Sequence, residues 1–142
     1  MWYRISKIIE QDLKNSIAIC IIFRKNKDSI QVLLEKRGTP PDKHKWCLPG
    51  GHVQKNEKPI EAAIREIKEE TNLILNGKKL HFLNENNING KKVSVYCCLL
   101  EGNQIAKAGS DAEDLSWTLI NKLPELIHNN NELIKKAYQK LF

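Results

Sequence analysis

The chain has 142 residues, of which 41% are hydrophobic, and its formal net charge is +6. This length suits one domain with one hydrophobic core, and the apolar content excludes an intrinsically disordered composition. The longest apolar run, residues 17–23, is too short to cross a bilayer, and the positive charge forms no single basic run that would indicate nucleic-acid binding.

The first half of the chain predicts a β-hairpin followed by a glycine turn. Residues 1–11 form a mixed segment that we interpret as an opening strand. Residues 16–24 are β-branched and apolar, which is typical of a buried central strand, and residues 30–36 form its partner across a turn at 26–29. Short extended pieces are expected on both sides of Gly50-Gly51.

Residues 59–71 are predicted to form the principal helix. Proline is tolerated in its first turn, and apolar residues at helical spacing give one core-facing stripe: Ile60, Ala63, Ile64 and Ile67. Asn72 follows the last helical residue and can adopt the left-handed conformation that ends a helix. Lys58 is a poor residue for the N-cap position, and Glu61 is interpreted as a surface residue.

The second half predicts a further hairpin, a polar loop and a terminal helix. Residues 79–83 and 92–100 are predicted strands, and Asn89-Gly90 between them is a typical hairpin turn. Residues 101–114 are expected to be a loop and residues 116–120 a last short strand. From residue 124 onward the pattern is helical, with a break expected at 129–131.

The four cysteines favour free, buried thiols over a metal site or disulfides. None belongs to a Cys-x-x-Cys pair, and the adjacent Cys97 and Cys98 would point to opposite faces of a strand. Such thiols are typical of a reducing compartment. The N-terminal residues show no secretory signal pattern, so we expect a cytoplasmic location.

Three carboxylates on the principal helix form a candidate metal site. Glu66, Glu69 and Glu70 stand at i, i+3 and i+4, where they would repel one another without a cation among them. Arg65 can pair with Glu69, and the Gly50-Gly51 turn can bring a backbone carbonyl close. Oxygen ligands of this kind suit Mg²⁺ or Mn²⁺. The acidic cluster alone would favour a solvated face paired with lysines, but the glycine turn and Arg65 favour the metal.

Basic and imidazole side chains near this site are open to two interpretations. Lys36 and Arg37 end a strand and could bind a substrate phosphate, or they could be an ordinary solvated strand end. His44 and His52 could contact substrate, although lone histidines in loops are usually exposed and without a role.

The spacing of these residues resembles a known signature. Gly51, then Glu57, then residues 65–73 (REIKEETNL) are similar to the Nudix box, GX5EX7REUXEEXGU, where U is aliphatic. The box covers residues 51–73 and matches at every charged position, and its one departure is Asn72 in place of glycine. A chance match in a chain this long is on the order of one in 10⁵. The flanking residues 46–51 and 110–117 also look like the family's segments.

The resemblance implies an α+β fold, a Nudix-like α/β/α sandwich with a central mixed β-sheet, forming one domain over residues 1–142. It also implies a metal-dependent hydrolase that cleaves a diphosphate linkage in a nucleoside diphosphate derivative. Carried over by position, Gly50 would offer its carbonyl to Mg²⁺ or Mn²⁺, and the ligands would be Glu66, Glu69 and Glu70. Arg65 would orient these acids, and Glu57 would support the loop–helix junction or a further metal.

The catalytic base and the substrate remain open in the sequence. The base could be a box glutamate or a later acid, Glu113 or Asp111. Candidate substrates are nucleoside triphosphates, nucleotide sugars, ADP-ribose and dinucleoside polyphosphates. The alternative function is a nucleotide- or RNA-binding module without turnover, although no box acid is lost. Nucleic acid is a partner that the charge permits without indicating it, and a homodimer is compatible with the family.

Overall fold

The computed structural model describes residues 15–109 and 111–142. Within these ranges the strands are β1 (Ser16–Asn26), β2 (Ser29–Arg37), β3 (Trp46–Cys47), β4 (Gly50–His52), β5 (His81–Ile88), β6 (Lys91–Leu99) and β7 (Ala112–Leu119). The helices are α1 (Pro59–Thr71) and α2 (Asn130–Leu141), with short 3₁₀ turns at Gly77–Lys79 and Ile127–Asn129. None of the described helices has the length and apolar character needed to span a bilayer.

The strands form one mixed sheet with the order β3-β2-β1-β6-β5. β1 and β6 are parallel, and the other pairs are antiparallel. Two strands share the same edge of β1. β4 pairs with its beginning, Ile17 to Ile19, and β2 pairs with its end, Phe23 to Asn26. The glycine bend and the middle of β2 therefore lie on the same side of β1.

The helices cover opposite faces of this sheet, which confirms the predicted sandwich. Successive side chains of β1 point to opposite faces, so one strand contributes to two cores. The core under α1 includes Ala18, Cys20, Ile22, Ala62, Ala63 and Ile67. The core under α2 includes Ile21, Phe23, Val95, Leu133, Ile134 and Ala137. All four cysteines are free and buried, and Cys97 and Cys98 face different cores, as the sequence predicts.

Both ends of α1 are held by polar contacts. The Lys58 backbone N–H donates to Glu61 Oε1 at 3.0 Å, so the exposed Glu61 side chain supplies the cap that Lys58 lacks. Asn72 adopts the left-handed conformation, with φ 62°, and its N–H donates to the Lys68 carbonyl at 3.0 Å. Its side-chain amide donates to the Lys107 carbonyl at 2.9 Å, which ties the helix end to the following loop.

The structure corrects the bounds of two predicted elements. The strand predicted at 79–83 is His81–Ile88, because residues 77–79 form a 3₁₀ turn. The predicted loop 101–114 ends early, because β7 begins at Ala112 and pairs with residues 31–37 of β2. Ladder hydrogen bonds with a neighbouring strand outweigh the polar composition of these residues. The strand predicted over residues 1–11 lies outside the described residues.

The predicted turn and helix break are both observed. Asn89 and Gly90 have positive φ values, 52° and 77°, as a tight hairpin turn requires. His128 and Asn129, within the 3₁₀ turn Ile127–Asn129, are also left-handed and interrupt the helical path directly before α2.

Candidate active site

The bend at Gly50-Gly51 packs directly against β1 and α1. A Cβ atom at Gly50 would lie 2.3 Å from the Ala18 carbonyl oxygen. A Cβ atom at Gly51 would lie 2.3 Å from the Glu66 carboxyl carbon. The absence of side chains at both positions lets the strand pair with β1 and lets the Glu66 carboxyl group lie against the bend.

Arg65 is the centre of an ion-pair network that joins α1 to the bend. Its Nε donates to Glu57 Oε2 at 2.8 Å, and its Nη2 donates to Glu57 Oε1 at 3.1 Å and to the His52 carbonyl at 2.9 Å. Its Nη1 donates to Glu66 Oε1 at 3.0 Å and to Glu69 Oε2 at 3.2 Å. One guanidinium therefore fixes three acids and a backbone carbonyl.

Two acids of this network, Glu57 and Glu66, have pKa values shifted in opposite directions. Hydrogen bonds from Arg65 lower the pKa of Glu57, and the same bonds raise the pKa of Arg65. Burial raises the pKa of Glu66 despite its contact with Arg65. Glu57 is thus a stable counter-ion of Arg65, whereas the half-buried Glu66 would gain from a nearby cation.

Glu70 lies apart from this network, against a buried acid that the sequence analysis did not identify. The Gly50 N–H donates to Glu70 Oε2 at 3.2 Å. Glu70 is 8% exposed and lies beside Glu35, which is 4% exposed. Burial raises the pKa of both groups, and the proximity of Glu35 raises that of Glu70 further. The available signal was one glutamate directly after the apolar residues 32–34 of β2.

Glu35 and Glu70 line a cavity of about 610 Å³. Of the residues predicted for the site, the cavity is lined by Gly50, Glu66, Glu70 and Arg37. Gly51, Glu35 and Asp111 also line it, whereas Glu57, Glu69, Lys36 and Glu113 are absent from its lining. A second depression, of about 650 Å³, lies between β5 and α2 and contains none of the box residues. The first cavity is therefore the candidate site.

Glu113 lies in β7 and does not line the cavity. Its Oε2 lies 2.6 Å from His44 Nδ1, and this hydrogen bond lowers the pKa of Glu113. His44 is exposed, as predicted, but it has a contact across the loop. Nearby, Arg37 Nε donates to the Pro41 carbonyl at 2.8 Å, which holds the loop at the end of β2.

The donor set fits a hard divalent cation. Within residues 15–109 and 111–142, no three His, Cys, Asp or Glu side chains form a preformed metal cluster. Glu66 and Glu70 nevertheless share one cavity wall with Gly50, and Glu35 Oε2 is buried without a hydrogen-bond partner. Carboxylate and carbonyl oxygens are the ligands that Mg²⁺ and Mn²⁺ prefer.

Comparison with known proteins identifies the family of this chain. The family model described as NUDIX domain matches residues 13–141. The ADP-ribose pyrophosphatase of Methanocaldococcus jannaschii is 37% identical over 119 residues, which cover 81% of this chain and 68% of that protein.

Solved structures share the fold at lower sequence identity. A MutT/nudix family protein from Enterococcus faecalis has a TM-score of 0.81 with 21% identity, covering 99% of this chain and 69% of that one. The NUDIX domain of Shewanella oneidensis NrtR, solved with ADP ribose, has a TM-score of 0.77 with 19% identity and coverages of 91% and 89%. Together with the box geometry, these matches show that the chain belongs to the Nudix family of hydrolases.

Proposed function

We propose that the chain hydrolyses the diphosphate linkage of a nucleoside diphosphate derivative with the help of Mg²⁺ or Mn²⁺. The observation that carries this proposal is that Glu66, Glu70 and the Gly50-Gly51 bend line one cavity. Burial raises the pKa of both carboxyl groups there, so a cation beside them would stabilise their charged forms. A divalent cation would provide this stabilisation and would also neutralise phosphate oxygens.

The protein's own residues would orient the reaction. The cation, when bound, stabilises charge on the phosphate and acidifies a water molecule. Glu66 and Glu70 would bind it, and Glu69 would join them on the exposed side of the helix. Arg65 and Glu57 would hold the acids in position through the network at 2.8–3.2 Å.

For the base that takes a proton from the attacking water, we favour Asp111 over Glu113. Asp111 lines the cavity, and its carbonyl accepts a hydrogen bond from the Gly38 N–H at 3.2 Å, which positions it beside β2. Glu113 is instead paired with His44. It would then hold the loop between β2 and β3 in place.

Arg37 is the better candidate for a contact with the substrate phosphate. It lines the cavity next to Asp111, whereas Lys36 does not line it. Adjacent residues of a strand point to opposite faces, which accounts for this difference. Arginine also matches phosphate geometry with two parallel donors.

ADP-ribose is the first substrate to test. The relative from M. jannaschii is named an ADP-ribose pyrophosphatase, and the NrtR domain was solved with ADP ribose. Apolar side chains beside the metal site could take a nucleobase or a ribose: Ile17, Ile19, Val93 and Ile127. Nucleoside triphosphates, nucleotide sugars and dinucleoside polyphosphates remain further candidates.

The test is a substrate panel with purified protein, Mg²⁺ and product identification by mass. We expect nucleoside monophosphate from ADP-ribose and loss of turnover in EDTA. Tight nucleotide binding with no turnover of any substrate would favour the alternative, a binding module. Turnover that is unaffected by EDTA would contradict the metal-dependent mechanism.

A further inference from the structure

The part of β2 that contains Glu35 holds a carboxyl group deep in the sheet. Glu35 is paired through its backbone with Cys47 of β3 on one side and with Leu115 of β7 on the other. Its position is therefore fixed by two ladders. Of the described residues, Glu35 and Glu70 are the only acids that are buried.

These two carboxyl groups meet although they belong to distant parts of the chain. One is in β2 and the other is near the end of α1, and both line the same cavity. Two ionised carboxylates repel each other in a buried site, and each also loses its hydration. A cation between them would offset both costs.

One oxygen of Glu35 lacks a partner among the described residues. Glu35 Oε2 is buried there without a hydrogen bond. Buried polar atoms are almost always paired, and an orphan requires an explanation. Glu35 lines the same cavity as Glu66, Glu70 and Gly50. Arg37, on the same strand, is the cation that acts on Glu35, while Glu66 and Asp111 add negative charge.

We infer that Glu35 is an additional oxygen donor of the divalent-cation site, contributed by β2 rather than by the Nudix box. It would bind the cation together with Glu70, or through one water molecule, with Oε2 as the donor. This inference rests on the proposed function, because it concerns the same cation. It adds a sheet residue to a site that the sequence places on the helix and the bend alone.

The inference is tested by Mn²⁺ binding to the full chain without nucleotide, measured by the electron paramagnetic resonance signal of free Mn²⁺. Glu35→Gln keeps the size of the side chain and removes the charged donor. We expect about 10–100-fold weaker Mn²⁺ affinity, with loss of most of the Mn²⁺-dependent rise in melting temperature. Glu85→Gln is the matched control, because Glu85 is a half-exposed strand residue paired with Lys92, and it should bind Mn²⁺ like the wild type.

Glu66→Gln separates this inference from the proposed function. If Glu66→Gln weakens Mn²⁺ binding but Glu35→Gln stays within twofold of the wild type, the role of Glu35 is overturned and the metal site survives. If the wild type binds no Mn²⁺ or Glu66→Gln has no effect, both fail. Should Glu35→Gln not fold, Glu35→Asp keeps the charge and withdraws the donor, and wild-type affinity in that variant would overturn the inference.

Discussion

Arg65 and Glu57 form a bidentate ion pair, with Nε–Oε2 at 2.8 Å and Nη2–Oε1 at 3.1 Å. The pair links the middle of α1 to the residues that precede the helix. Because Arg65 also contacts the His52 carbonyl at 2.9 Å, the bend and the helix are held as one unit. The metal-binding acids are positioned by this unit.

Arg65→Lys should therefore impair catalysis more than its conserved charge suggests. A lysine ammonium cannot reach Glu57, Glu66 and the His52 carbonyl at once. We expect kcat to fall about 100-fold and the free energy of unfolding to fall by about 1–3 kcal/mol, measured in denaturant melts. Lys68→Arg, on the exposed face of the same helix, is the control and should change neither quantity appreciably. Wild-type kcat in Arg65→Lys would contradict the orienting role.

Glu70→Gln should abolish turnover while leaving the fold intact. The amide oxygen of the new glutamine can still accept the hydrogen bond from the Gly50 N–H. Because the amide is neutral, it does not repel the Glu35 carboxyl group. A metal ligand would nevertheless have lost its charge. Steady-state assays at saturating Mg²⁺ and thermal melts in EDTA check both parts, with the exposed Glu101→Gln as control. Full activity in Glu70→Gln would defeat the assignment.

The metal-free protein should lose stability as the pH rises above about 5. Glu35 and Glu70 have folded-state pKa values above their ordinary value of 4.5, so the folded state binds more protons than the unfolded state there. Their stabilising contribution is complete below pH 4.5 and is lost as the pH rises through the folded-state pKa values, at up to about 1.4 kcal/mol per pH unit for each proton.

This pH dependence is measured by denaturant melts in EDTA between pH 5 and 8. Glu70→Gln should flatten the slope relative to the wild type, because it removes one of the three carboxyl groups whose pKa values are raised, the others being Glu35 and Glu66. Glu57 and Glu113 have lowered pKa values, so they make the stability fall as the pH falls. This effect occurs only below pH 4.5, outside the measured range. Equal slopes for the wild type and Glu70→Gln would show that the buried pair is not protonated in the metal-free protein.

Gly51→Ala should damage the site without unfolding the protein. The new Cβ atom would lie 2.3 Å from the Glu66 carboxyl carbon, and a flexible side chain moves more easily than the backbone. We expect about a 100-fold loss of kcat and a small change in melting temperature. Gly77→Ala is the control, because its Cβ atom would meet only Ile64 Cδ1 at 3.4 Å. Comparable kcat values for the two variants would argue against Glu66 as a ligand.

Asn72→Gly should be mild, within about 1 kcal/mol of the wild-type stability. Glycine relieves the left-handed backbone at φ 62°, but the hydrogen bond from the side-chain amide to the Lys107 carbonyl is lost. Asn72→Ala loses the hydrogen bond and keeps the strain, so it should be the less stable variant in thermal melts. The reverse order would show that the cap conformation does not determine stability here.

The sequence predicts the helix and the acids better than it predicts their partners. The bounds of Pro59–Thr71 follow from apolar periodicity, the proline and Asn72, all of which are local signals. Glu35 was missed because the pattern of a strand can indicate that a position is buried, but it does not indicate which distant residue lies beside it. The contact between His44 and Glu113 was missed for the same reason. The cap from Glu61 is local, and it was missed because Lys58 is not a typical N-cap residue. The start of β7 depends on pairing with β2, which local composition does not report.

The most direct test of the metal site is anomalous diffraction from crystals soaked in Mn²⁺. The expected result is a peak within about 2.5 Å of carboxylate oxygens of Glu66 and Glu70 and near the Gly50 carbonyl. Peaks confined to other parts of the surface, with Glu66 and Glu70 left unliganded at high Mn²⁺ concentration, would contradict the proposed mechanism.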